Sequence, residues 1–140
     1  MVTQRKCILD GCDDWEMSAD LPDWEQYPPV IRETRQRPDI VFHSPTGRRI
    51  VMIELTVPYE SRIEDAFVYK KEKYKDLAQE LHRSGYDAEI WPVEIGATGF
   101  VATSAYNLFT NLSISGNKRN KALRRLSEVA ERSSMYVWCR

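Results

Sequence analysis

The segment that most limits what this chain can fold into is Ile50 to Val57, IVMIELTV, an apolar run broken by one acid, Glu54. Such a run reads as a strand covered on both faces, where a lone carboxylate is costly unless it has a partner. Upstream lies a second strand-like run, Asp39 to His43 (DIVFH), and between them Ser44 to Gly47 (SPTG) supplies turn residues. Asp39 to Val57 is therefore expected to be a β-hairpin with Ser44–Gly47 as its loop, and Pro58 ends the second strand. In that register His43 pairs with Arg48 and Asp39 lies opposite Met52. Side chains alternate between faces, so Glu54 shares the face of Met52 and is a diagonal neighbour of Asp39, with Cβ atoms about 7 Å apart.

The flanking sequence sets the fold class. Asp14 to Leu21 (DWEMSADL) alternates weakly, as a strand would, and Pro22, Pro28 and Pro29 interrupt the residues after it. Ser61 with Glu64 forms a capping box, and Gly85 marks a helix stop. Between them Ile63, Phe67, Tyr74, Leu77 and Leu81 recur at helical spacing, with Lys70 filling the missing step of that stripe. Asp87 to Gly96 (DAEIWPVEIG) is a further strand. The C-terminal segment reads as two helices divided near Gly116, with Ala122, Leu126, Val129 and Ser133 as the core-facing stripe of the second. Hairpin, helix, strand and helices in that order predict an α/β fold with a mixed sheet.

Composition bounds the class further. A chain of 140 residues with 42% hydrophobic residues suits a single domain, 1–140. No apolar stretch approaches the roughly 18 residues that a membrane helix needs, and the N-terminal residues lack the apolar core of a signal peptide. With no secretion signal, the three cysteines are expected to be reduced thiols of an intracellular protein. Cys7 and Cys12 have no second Cys or His pair at finger spacing, which disfavours a zinc site.

The net charge of −1 hides an uneven distribution. Residues 1–29 hold two basic and seven acidic side chains, leaving 18 basic against 14 acidic in the remainder. The excess is densest in Asn117 to Arg125 (NKRNKALRR), where Lys118, Arg119, Lys121, Arg124 and Arg125 occur without an acid. Such a run is either a solvated helix face or a strip that contacts phosphates, because phosphate binding depends on local charge.

Three charged residues fall where the pattern calls for apolar ones: Glu54 in a strand, Asp39 at the start of its partner, and Lys70 on the helical stripe. Each has an ordinary explanation by itself. Glu54 could form a salt bridge with Lys70, a lysine can snorkel to water along its own stem, and an acid after proline often starts a strand. Together they fall on consecutive elements and point to one place, which is a signature of function. Two carboxylates at that separation can converge on one Mg²⁺ with bonds of about 2.1 Å.

Proline–aspartate followed by an acid in a hydrophobic strand resembles the metal-binding half of the PD-(D/E)xK nuclease pattern. The usual lysine of that pattern is replaced here by Thr56, and Lys70 and Lys73 on one face of the next helix are the candidates to supply it. The series RPD (Arg37–Asp39), ELTVPYE (Glu54–Glu60) and KKEKY (Lys70–Tyr74) resembles the restriction-like endonuclease domain of site-specific non-LTR retrotransposons. Flanking pieces carry the resemblance over nearly the whole chain. They are Asp14-Trp15 with Asp20-Leu21, Pro92-Val93-Glu94 with Gly96, Gly99-Phe100, and the closing Ala130–Ser134 with Trp138 and Arg140. The zinc knuckle and reverse transcriptase found beside such domains do not occur in this sequence.

The resemblance implies a restriction-endonuclease-like mixed sheet with an αβββαβ core, flanked by helices and extended by further C-terminal helices. It implies a metal-dependent endonuclease that hydrolyses DNA phosphodiesters, nicking or cutting a target for element insertion. Asp39, Glu54 and the Leu55 carbonyl would hold Mg²⁺ or Mn²⁺, and Lys70 would act on the attacking water with Lys73 assisting. Thr56 would hydrogen-bond in the place of the absent lysine. Arg37 would position the backbone, neutralise the acids or contact DNA, together with the basic residues from Lys118 to Arg125. Glu94 is a candidate for a supporting role, with ordinary strand solvation as the alternative. DNA is the implied partner, with a reverse transcriptase as partner or fusion, a homodimer left open, no membrane, and the nucleus as location. Two alternatives stay open: a Holliday-junction resolvase-like nuclease, and a domesticated module that binds nucleic acid or protein without cutting.

Overall fold

A computed structural model describes residues 7–20 and 23–138 of the chain. The elements run β1 (Glu16–Ala19), α1 (Pro29–Arg32), β2 (Ile40–Ser44), β3 (Arg49–Thr56), a 3₁₀ turn (Glu60–Arg62), α2 (Ile63–Lys73), α3 (Lys75–Arg83), β4 (Asp87–Glu94), α4 (Thr103–Asn111) and α5 (Gly116–Trp138). The four strands form one sheet in the order β1-β2-β3-β4, and the β1–β2 and β2–β3 pairs are antiparallel. Asp87 N–H donates to the Arg48 carbonyl at 2.8 Å and Ile95 N–H to the Thr56 carbonyl at 3.0 Å. These bonds advance in the same direction along both strands, so β4 is parallel to β3 and the sheet is mixed. The expected mixed α/β fold is therefore present. Among the described residues no helix precedes β1, unlike the αβββαβ order. None is long and apolar enough to cross a membrane. Leu21 and Arg140, two residues of the flanking resemblance, lie outside the described residues.

The hairpin is formed in a register displaced from the expected one. Ile40 pairs with Ile53, Val41 with Met52 and His43 with Ile50, so the loop is Pro45–Arg48 rather than Ser44–Gly47. Ser44 stays in β2 because its hydroxyl donates to Asp14 at 2.5 Å while accepting the Gly47 N–H at 3.1 Å. Arg48 takes the left-handed conformation (φ 50°) at the end of the loop. Its guanidinium donates to the carbonyls of Ser84 and Gly85 at 2.8 and 3.1 Å and stacks on Tyr86, which offsets that strain. The loop moves by one residue, but the pairing shifts by two, so no side chain changes face.

The chain divides into two compact units. One contains Gly11–Glu54 and Tyr69–Pro92. Its core joins Val41, Ile50 and Met52 of the sheet to Leu77 and Leu81 of α3, and to Tyr27 and Ile31 from the segment before β2. Burying each aliphatic side chain there contributes about 1.5–3 kcal/mol. The expected single helix from Ser61 to Gly85 is broken at Tyr74 (φ −93°, ψ 0°), which separates α2 from α3. No residue of α2 is fully buried, whereas α3 buries Leu77 and Leu81.

The second unit contains Leu55–Val68 and the chain from Val93 onward, together with the segment ending at Asp10. Ser61 does not cap a helix here. It lies inside the 3₁₀ turn, whose Arg62 N–H is already bonded to the Tyr59 carbonyl at 2.8 Å. The division between α4 and α5 falls at Gly116, as expected, but the buried seam of α5 differs. Leu123 and Ala130 are buried, Ala122 and Leu126 half-buried, and Val129 is 53% exposed. The seam is rotated by one residue, because Leu123 offers more apolar surface to the core than Ala122. The Ser133 side chain lies outside the described residues.

Candidate active site

Glu54 sits near the end of β3 and is 6% exposed. One step beyond the last paired residues of the hairpin, the observed register sets Asp39 directly opposite it. The Asp39 N–H donates to Glu54 Oε2 at 3.1 Å. The two acids are therefore closer neighbours than the diagonal pair expected. Lys70, on α2, reaches the same carboxylate: its Nζ donates to Oε1 at 2.9 Å, with side-chain exposures of 18% for the lysine and 8% for the acid. The lysine in the apolar stripe and the acid in the apolar strand are thus partners. Charge in such a setting needs a partner, and removing one leaves the other uncompensated.

Two tyrosines complete the surroundings. Tyr74, 2% exposed at the break between α2 and α3, lies close enough to Glu54 for the two to interact electrostatically. Burial, then the charges of Glu54 and Asp39, push its phenol well above the ordinary range. Tyr27 is buried and donates to the Pro38 carbonyl at 2.8 Å; burial first, then Asp20 and Asp39, raise its phenol. Both phenols are held protonated beside the acids. The sequence shows Tyr74 only as an apolar-stripe position, and nothing in it marks Tyr27, whose contact depends on tertiary packing.

The remaining predicted residues divide. Lys73 is exposed, with Nζ 5.3 Å from the centroid of the Tyr74 ring. Its carbonyl accepts from Gln36 at 3.2 Å, and no bond from its ammonium to the acids is found among the described residues. Arg37 holds backbone. Its guanidinium donates to the carbonyls of Ile31, Arg32, Thr34 and Gln36 at 2.7–3.1 Å, fixing the segment that delivers Pro38 and Asp39 to β2. Leu55 follows Glu54 in β3 with its side chain 38% exposed. Thr56 Oγ1 is buried with no hydrogen-bond partner among the described residues, so it does not make the bond expected in place of the absent lysine.

Lys118, Lys121, Arg124 and Arg125 are exposed on the first turns of α5. Arg119 turns away from them, half-buried, with its guanidinium 5.9 Å over the Tyr106 ring. Glu94 is 1% exposed. Its Oε2 accepts from Ser104 Oγ at 2.8 Å, and Ser104 Oγ in turn accepts the Glu94 N–H at 3.1 Å. Burial pushes this carboxyl up, partly opposed by the Ser104 bond.

Among the described residues no group of three or more His, Cys, Asp or Glu side chains is placed to hold a metal ion. A hard divalent cation such as Mg²⁺ needs fewer protein ligands, commonly one or two carboxylates with water and substrate phosphate completing the shell. Asp39 and Glu54, opposed on one face of adjacent strands, fit that donor chemistry. Compared with known proteins, the sequence matches no family model and no curated protein.

Proposed function

We propose that this chain is a metal-dependent endonuclease that hydrolyses DNA phosphodiesters. One observation carries the reading: Asp39, Glu54 and Lys70 converge, with the Asp39 N–H and the Lys70 ammonium on opposite oxygens of a buried Glu54. Asp39 and Glu54, with the carbonyl of Leu55, would hold Mg²⁺ or Mn²⁺. The chemistry such an ion supplies is neutralisation of the scissile phosphate and a more acidic water. Lys70 Nζ would then exchange its Glu54 bond for the attacking water and the phosphoryl oxygens, orienting the one and offsetting charge on the other. Tyr74 would keep Glu54 oriented during that exchange. Arg37 would fix Asp39 through the backbone, while Lys73, exposed beside the site, would contact a phosphate.

The basic face of α5 supports a nucleic-acid substrate. Cations at a helix N-terminus oppose the helix dipole, and the first turn of α5 holds Lys118 and Arg119 and no acid. Stability alone would favour the opposite sign there. Purified protein is expected to nick supercoiled plasmid in Mg²⁺ or Mn²⁺ and to be inert in EDTA. A branched oligonucleotide cut in preference to a linear one would instead indicate a resolvase.

A second reading, a binding module that does not cut, is favoured by the two donors that already engage both oxygens of Glu54. Protein that binds DNA in Mg²⁺ and never nicks it would establish that reading.

A further inference from the structure

Within the unit that carries α4 and α5, a cavity of about 430 Å³ is lined by Ile63, Phe67, Phe100, Ser104, Asn107 and the buried Glu94. Its wall is mostly hydrocarbon, and one group in it lacks a partner. Glu94 Oε2 is engaged by Ser104, but Oε1 is buried with no hydrogen-bond partner among the described residues. A buried carboxylate oxygen without a partner, on a residue that lines an apolar cavity, is costly and is rarely kept for the fold alone.

The turn beside the cavity is pinned. The turn that carries Phe100 is fixed at Thr98, whose N–H and hydroxyl both donate to Glu60 Oε1, at 2.9 and 2.5 Å. It is fixed again at Gly99, whose carbonyl accepts from Ser127. Gly96 permits this closeness, since a Cβ there would collide with the Glu60 carboxylate. Phe100, in the lining of the cavity, is left 58% exposed although the turn before it is pinned. The arrangement is a cavity whose lining includes two aromatic rings and the residue with the unpartnered carboxylate oxygen.

The geometry points to this cavity as a binding site for an unpaired nucleobase bearing an exocyclic amino group, cytosine or adenine. The flat ring stacks against Phe67 and Phe100, and the amino group donates to Glu94 Oε1, the pairing by which a carboxylate reads cytosine. Asn107, whose amide both donates and accepts, meets the rest of the base edge. The choice of a nucleobase over other amino-bearing rings rests on the nuclease reading; the cavity and its unpaired oxygen do not.

Neutral nucleosides test the inference in EDTA, without cleavage and without phosphates to attract the basic residues. Saturation-transfer NMR on the whole protein is expected to show deoxycytidine and deoxyadenosine binding at least about tenfold more tightly than deoxyuridine and deoxyinosine, which carry a carbonyl in place of the amine. Glu94→Gln should reverse the order. Its amide oxygen keeps the Ser104 bond, and its NH₂ faces the cavity as a donor. Phe100→Ala, at an exposed position, should weaken deoxycytidine and deoxyuridine together, which keeps the test decisive if Glu94→Gln does not fold. Equal binding of the amino and carbonyl pairs, or no binding of any nucleoside, overturns the inference. If wild type also nicks plasmid, that failure leaves the nuclease reading standing. Amine-selective binding by a protein that never nicks retains the site and removes the nuclease reading.

Discussion

Glu54 and Lys70 can be separated by energetics into what they do for the fold and what they do for chemistry. Removing either partner alone leaves a charge in a largely buried place, so Glu54→Ala or Lys70→Ala should cost about 2–4 kcal/mol, read from urea unfolding. Replacing both by apolar residues of similar size, Glu54→Leu with Lys70→Met, should leave stability near that of wild type or above it. A pair retained for chemistry shows that pattern with cleavage abolished, whereas a double variant as unstable as the singles would mark it as structural. A second residue-scale prediction concerns His43, buried in β2 with Nε2 unpartnered among the described residues and its ring 5.6 Å from that of Tyr86. Burial lowers its pKa below 6.5, so the fold prefers the neutral imidazole. That contribution is complete above about pH 6.5 and is lost as the pH falls toward the lowered folded value. Urea midpoints should decline across that window in wild type and stay flatter in His43→Gln. Asp14 adds a later loss: the Ser44 hydroxyl and the Thr46 N–H hold its pKa at about 2, so its support fades only as pH falls from 3.8 through that value.

At the scale of elements, the hairpin shows which inferences survive an error of register. Turn chemistry placed the loop one residue early, because Ser44 reads as a turn residue and its contact with Asp14, remote in sequence, is invisible from local pattern. The faces are the same in both registers because the displacement keeps parity, and Asp39 is a direct rather than a diagonal neighbour of Glu54. Lys70 was legible as a break in a helical stripe. The break of that helix at Tyr74 was not, since Tyr74 is an apolar position by spacing and only packing beside Glu54 sets its backbone. The seam of α5 is ambiguous in sequence for a related reason: Ala122, Leu126 and Val129 have helical spacing, but so do Leu123 and Ala130, and only a packed partner decides between them. The basic start of α5 carries its own prediction. Lys118→Glu should stabilise the protein by about 0.3–1 kcal/mol through the helix dipole while weakening DNA binding. Thermal unfolding and filter binding give the two signs, and a fall in both would show this lysine supporting the fold.

For the whole molecule, the acidic N-terminal residues and the basic remainder matter more than a net charge of −1. If the basic strip on α5 contacts phosphates, the logarithm of DNA affinity should fall linearly with the logarithm of salt concentration. Lys121→Ala should then reduce the slope by about 0.9. An unchanged slope would remove that residue from the interface. The class of the fold and the three charged exceptions in apolar places were legible because periodicity and its violation are local signals. The phenols beside the acids, the backbone role of Arg37 and the cavity around Glu94 arise from residues distant in sequence. The most direct measurement is nicking of supercoiled plasmid in Mg²⁺ by wild type beside Asp39→Ala and Lys70→Ala, with folding of each verified by circular dichroism. Nicking by wild type that EDTA stops and both substitutions abolish is the expected result. Folded wild type that leaves the plasmid intact, or undiminished nicking by either variant, would contradict an active site built on Asp39, Glu54 and Lys70.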